Sequence, residues 1–251
     1  MGVTDPFLCI SSLQHGKRSP HRSGNRGRTI SHGRRLGRLH ERLSDDAIVG
    51  GNPLIRVGIA GPIGAGKSAV LAIFASLGAV VIDADKLAKE IMVRDDEVRT
   101  RLLKIFGPQT FTREGYLNKQ HLITEAFTKG RSEELNSIVH PAVKKETIRL
   151  MKEAEKQNPP FFVIEGALLL NRGRPDHLDK ILIIQSDRAL KLQRVKERDQ
   201  ATEEEILQRM AAQPDFSTLS HLADDVIQNN GTLEELTQTV KAVADRWLQN
   251  G

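Results

Sequence analysis

Residues 61–68 read GPIGAGKS, which places Gly61, Gly66, Lys67 and Ser68 in the spacing G-x-x-x-x-G-K-S. This loop restricts the fold strongly, because it cradles phosphates only when a strand delivers it and a helix follows. Both neighbours are present. Residues 54–60, LIRVGIA, form a short apolar run rich in β-branched side chains, and a helical apolar pattern follows through Leu77. Glycines let successive backbone N–H groups turn inward toward phosphate oxygens, and the helix start adds its positive dipole end. The expected contacts to a nucleoside triphosphate are Gly61, Ile63, Gly64, Ala65, Gly66, Lys67, Ser68 and Ala69. Lys67 is expected to reach the β- and γ-phosphates, and the Ser68 hydroxyl to ligate magnesium. Pro62 has no N–H and must sit where no donor is required.

Further strands are expected at 79–82, ending in Asp83-Ala84-Asp85, at 161–164 before Glu165, at 180–184, and at 225–228, closed by Asn229-Asn230-Gly231. Strands alternating with helices predict the α/β class, with a parallel sheet of about five strands flanked by helices. Residues 86–156 hold no strand candidate and read as a helical insertion. Thr202 with Glu205 and Thr232 with Glu235 have capping-box spacing and start two later helices.

Charge separates a tail from this body. Residues 1–53 contain nine basic and four acidic side chains, whereas residues 54–251 contain 28 of each. The chain's net +5 therefore belongs to the first 53 residues, which are expected to be a disordered basic extension. It reads as translated sequence ahead of the true start, as an organelle-targeting segment, or as an arm for nucleic acid or membrane. No aromatic residue interleaves with its arginines, and the body is neutral, so nucleic acid is expected only through this arm if at all. The one cysteine, Cys9, also lies there, so no intrachain disulfide forms. The apolar runs are far shorter than the roughly 18 residues of a membrane span, so no membrane partner is expected. A cytoplasmic location is expected, with organelle targeting as the alternative; no feature specifies an oligomer.

A phosphate loop alone does not separate kinases from switches and motors. Asp83 and Asp85 follow the second strand, at the edge where open α/β sheets bind ligands. One carboxylate there can accept the proton of an attacking hydroxyl, while its neighbour can bind magnesium or water, and one of the two is expected to cap the following helix, 86–92. A guanine-reading Asn-Lys-x-Asp is missing: Asn118-Lys119 is followed by Gln120-His121. Arg194 and Arg198 share a helical face, and after Arg198 the pattern breaks into a loop that can close as a lid over phosphates, within 194–213. For Arg194 a solvated charged face is an equal reading.

These residues together carry a family resemblance. GIAGPIGAGKS (58–68), VIDADKLAKE (81–90), VHPAV (139–143), EGALLL (165–170), QRVKERD (193–199), RMAAQ (209–213) and ADDVIQNNG (223–231) stand in the order and spacing of dephospho-CoA kinases. The resemblance implies a P-loop kinase core with a helical acceptor-binding insertion and a small lid. It implies ATP with Mg2+ as cofactor, dephospho-CoA as second substrate, and phosphorylation of a ribose 3′-hydroxyl, the last step of coenzyme A synthesis. Asp85 then matches the catalytic base, Lys67 and Arg198 serve the phosphates, and Asp83 and His140 fall in the acceptor region. His140, before Pro141, reads equally as a residue at a helix start whose ring caps backbone. This chain departs from the common pattern at Pro62, Ala69, Glu165-Gly166-Ala167-Leu168-Leu169, Asn171 and His221. A related nucleoside or nucleotide kinase, or a nucleotide-binding regulator, are the competing readings.

Overall fold

A computed structural model describes residues 54–171 and 173–250. The expectations for residues 1–53, including Cys9, lie outside the described residues. Five parallel strands form one sheet in the order β2-β3-β1-β4-β5. They are β1 (Ile55–Ala60), β2 (Val80–Asp83), β3 (Phe161–Glu165), β4 (Lys180–Gln185) and β5 (Asp225–Gln228). The chain fills one side of β1 first, then crosses to the other. The C-terminal end of β1 therefore lies at the topological switch point, where open α/β sheets leave a crevice.

Sheet burial on both faces explains the nearly continuous apolar strands. Along β3, Phe161 and Val163 pack into one core while Phe162 and Ile164 pack into the other. On the first face α1 (Lys67–Ser76) and the C-terminal helix Leu233–Gln249 cover the sheet. Phe74 there meets Phe161 edge-on at 5.4 Å and stacks on Trp247 at 6.4 Å between ring centroids. The Trp247 indole N–H donates to Asp225 on the edge strand at 2.9 Å. Both capping boxes form as expected, at Thr202 with Glu205 and Thr232 with Glu235.

The helical insertion has its own core. α2 (Ala84–Arg94), α3 (Asp96–Phe106), the short α4 (Lys119–Leu122) and α5 (Ser132–Glu155) bury Met92, Leu102, Leu122 and Ile138 among themselves. The expected boundaries shift by a residue or two: β1 starts at Ile55, and β3 and β4 each run one residue further, to Glu165 and Gln185. The second strand runs one residue later, to Asp83, because it pairs in register with Glu165 of β3. The next helix starts at Ala84 rather than Lys86 and continues to Arg94, capped at its far side by the turn at Asp95. No helix among the described residues is long and apolar enough to cross a membrane.

Candidate active site

Strand register assembles the site. Glu165 is the Cα partner of both Ile59 on β1 and Asp83 on β2, so the phosphate loop, Asp83 and Glu165 emerge at one sheet edge. Gly66 initiates α1 in the left-handed region, with φ of 97°. A Cβ there would stand 2.2 Å from Nδ2 of Asn229, the group that donates to the Ala65 carbonyl at 2.8 Å. Gly61 is similarly pressed against the Ile184 carbonyl. Gly66→Ala is expected to lose about 2–4 kcal/mol of stability through strain and displacement of Asn229. Thermal denaturation of the variant checks this.

A cavity of about 620 Å³ lies over the loop, lined by Ile63, Gly64, Gly66, Lys67 and Ser68, with Asp83, Asp85 and Glu165 opposite. Gly61, Ala65 and Ala69, expected as contacts, are not in this lining. Two of them bond within the protein: the Ala65 carbonyl accepts from Asn229 and the Ala69 N–H donates to the Gly66 carbonyl.

Lys67 is the cation that the phosphate loop itself brings to this chamber. Its Nζ donates to the Pro62 carbonyl at 3.3 Å and lies 3.8 Å from Oε1 of Glu165. Burial pushes the ammonium below its ordinary pKa, and Glu165 and Asp85 oppose that shift. Burial likewise raises Glu165, against the pull of Lys67. Asp85 is pushed up to about 7, first by burial and then by the neighbouring carboxylates Asp83 and Glu165, with Lys67 and Lys89 pulling the other way. A carboxylate poised near neutral pH suits proton abstraction.

Asp83 is the aspartate that caps. Its Oδ1 accepts from the Lys86 N–H at 3.0 Å and its Oδ2 pairs with Lys86 Nζ at 3.0 Å, so both oxygens are engaged at the helix start. Asp85, in the first turn, is left to face the cavity.

The segment expected to be a lid, 194–213, falls on α6 (Arg188–Asp199) and α7 (Glu203–Ala211), joined through Gln200 in the left-handed conformation. Ile63 of the phosphate loop packs with Val195 and Ile206 beneath it. Arg198 lies on the last turn of α6, and the helix continues through Asp199 to its cap at Gln200, so the break comes one residue later than expected. Its guanidinium pairs with Asp199 at 2.7 Å while remaining more than half exposed. Arg209, buried, binds the other oxygen of Asp199 at 3.1 Å. Arg194 is not a solvated surface charge: it donates to the Asn229 carbonyl at 3.0 Å and to Ser186 Oγ at 3.2 Å. All three arginines line the cavity.

A second cavity, of about 670 Å³, opens between the insertion and the sheet. Leu168, Leu169, Val143 and Ile164 form apolar wall, and His140, Lys144 and His177 bring basic nitrogens. His140 is in the interior of the 24-residue helix α5, not at a helix start, since the helix carries Pro141 within it. Thr147 Oγ1 and Asn171 Oδ1, both on residues of this wall, are buried and have no hydrogen-bond partner among the described residues. His221 lines neither cavity and bonds the Thr218 carbonyl at 2.8 Å. Among the described residues, Asp85 is the one that lines both chambers.

A phosphate loop at the switch point of a parallel sheet, a basic lid above it and a carboxylate facing a second chamber define a P-loop phosphotransferase of the small-molecule kinase class. The family model described as dephospho-CoA kinase matches residues 55–235. The chain belongs to that family. It is 32% identical over 191 residues to a dephospho-CoA kinase of Corynebacterium glutamicum, covering 76% of this chain and 98% of that one. It is 34% identical over 202 residues to one of Chlorobium chlorochromatii, covering 78% and 95%. Among solved structures, TT1252 from Thermus thermophilus is similar, with a TM-score of 0.64 and 30% identity over 77% of this chain and 97% of that chain. Dephospho-CoA kinase from Campylobacter jejuni matches with a TM-score of 0.51 and 25% identity, over 76% and 96% of the two chains.

Proposed function

We propose that this protein transfers the γ-phosphoryl group of ATP to the ribose 3′-hydroxyl of dephospho-CoA, yielding coenzyme A and ADP, with Asp85 as the base. The observation that carries this is the position of Asp85 in the walls of both chambers, where a hydroxyl from one side can meet a phosphoryl group from the other. Asp85 takes the hydroxyl proton as the oxygen attacks phosphorus, and the bond to the ADP oxygen breaks in line. Lys67 offsets charge on the phosphates from beneath, and Arg194 and Arg198 from the lid side. The second chamber suits the acceptor: basic groups for its anionic portion, apolar wall for the base or the pantetheine chain, and His140 among the polar contacts. Asn171 Oδ1 offers an acceptor where a carboxylate is common, so a neutral N–H or O–H donor of the substrate fits it.

The residues also fit Mg2+. Among the described residues no His, Cys, Asp or Glu cluster could hold a metal alone. A hard cation held by the Ser68 hydroxyl together with phosphate oxygens matches magnesium's habit of binding few protein groups. When bound, it would neutralise phosphate charge and orient the γ-phosphoryl group.

The test is an acceptor panel. With ATP and magnesium, dephospho-CoA is expected to consume ATP far faster than adenosine, AMP or shikimate. Faster turnover of a nucleoside or a mononucleotide would instead favour a related kinase.

A further inference from the structure

Two residues beyond the end of α7, Gln213 lies in the wall of the phosphate chamber. Its Oε1 accepts the backbone N–H of Ile63 at 2.6 Å. A backbone donor fixes which way a carboxamide turns, since only the oxygen can face it. Nε2 is therefore directed away from Ile63, where it is buried and has no hydrogen-bond partner among the described residues. Folded proteins seldom keep such a donor unless something else supplies its acceptor. The same chamber wall includes the loop residues Ile63, Gly64, Lys67 and Ser68 and the guanidinium of Arg209, with the carboxylates Asp83, Asp85, Glu165 and Asp199 also in it. The Ile63 side chain also anchors the small apolar cluster under the lid, with Val195 and Ile206, so Gln213 grips the loop where loop and lid already meet.

We infer that Gln213 is a nucleotide-binding residue that ties the lid to the phosphate loop, its Oε1 holding the Ile63 N–H while its Nε2 donates to a phosphate oxygen of bound ATP. Nε2 is shielded here, so donating to the phosphate requires the Gln213 side chain to shift as the nucleotide binds. The inference rests on the reading of this chamber as the ATP site, and one experiment separates the two. ATP binding to the full chain is measured by calorimetry for the parent, Gln213→Glu and Gln213→Leu, alongside Tm and both KM values.

Gln213→Glu keeps an acceptor for Ile63 but sets a carboxylate where the donor was. Its Tm is expected to stay near the parent's, while the Kd for ATP rises roughly 10- to 100-fold, as for a lost hydrogen bond to a charged group. Gln213→Leu is expected to raise the KM for ATP about tenfold. The KM for dephospho-CoA is expected to stay within twofold in both variants. An unchanged ATP Kd in a folded Gln213→Glu would overturn the inference. So would equal shifts of both KM values in Gln213→Leu, the variant that decides if Gln213→Glu does not fold. A parent that binds no ATP would instead overturn the reading of the chamber, and this inference with it.

Discussion

Asp85→Asn is expected to lower kcat by about 10²- to 10⁴-fold, the usual range for removing a general base. The KM for ATP is expected to change little, because the carboxamide keeps the shape of the wall and the phosphate loop is untouched. The pH dependence makes the test specific. With its carboxyl near 7 in the free enzyme, Asp85 is deprotonated and able to act as base only above that pH. The parent's kcat/KM is therefore expected to fall about tenfold per pH unit below roughly pH 7, and the Asn variant to lack that limb.

Stability should move the other way. A carboxyl whose folded pKa is raised contributes its full stability below the unfolded value, and that contribution is lost as pH rises through the folded value. In the parent this loss runs from the ordinary carboxyl value of 3.8 up to about 7. Asp85→Asn is accordingly expected to raise Tm, by an increment that grows from pH 4 to pH 8 and reaches several degrees. A near-normal rate would demote Asp85 to a helix-start residue. A Tm gain independent of pH would remove the account of its shifted titration.

Lys67→Met has the second largest expected effect. The ammonium stands among Asp83, Asp85 and Glu165, and its proposed role is to hold the transferred phosphate. Methionine keeps the length and apolar body of the side chain but not its charge. Loss of one preorganised charge at the transferring group is expected to lower kcat by about 10²- to 10³-fold. Because Lys67 also holds the neighbouring carboxyls down, the acid limb of any residual activity is expected to move to higher pH. Lys67→Arg is expected not to restore the rate, since a planar guanidinium cannot occupy the pocket of a compact ammonium close to the Pro62 carbonyl. Comparing kcat and pH profiles of the three proteins checks this, and full activity in Lys67→Arg would contradict it.

Features written into neighbouring residues were the legible ones. The phosphate loop, its flanking strand and helix, and both Thr-x-x-Glu capping boxes depend on contacts within a few positions, and they stand where periodicity placed them. That Asp83 or Asp85 would cap the helix was also readable; which of them did so was not, because the choice follows from the pairing of β2 with β3. Partners far apart in the chain were hidden. Asn229 supports the phosphate loop from 164 positions away, and Gln213 from 150. Arg209 and Gln213 are four positions apart, a spacing that hints at one helical face, but nothing local marks that face as the wall of a phosphate chamber. Of the two readings of His140 only the helix-start one fails: a proline at the next position commonly marks a helix start, whereas the insertion's own core holds α5 together through Pro141, and His140 lines the second cavity.

The central claim is that two chambers meet at Asp85 so that ATP phosphorylates one particular hydroxyl of dephospho-CoA. The most direct measurement incubates the full chain with magnesium, γ-labelled ATP and dephospho-CoA, and determines by mass and by phosphorus NMR where the label resides. The expected result is one labelled phosphoryl group per product molecule, on the ribose 3′-oxygen, with equimolar ADP. Label released as inorganic phosphate, or carried on another position or another acceptor, would contradict it.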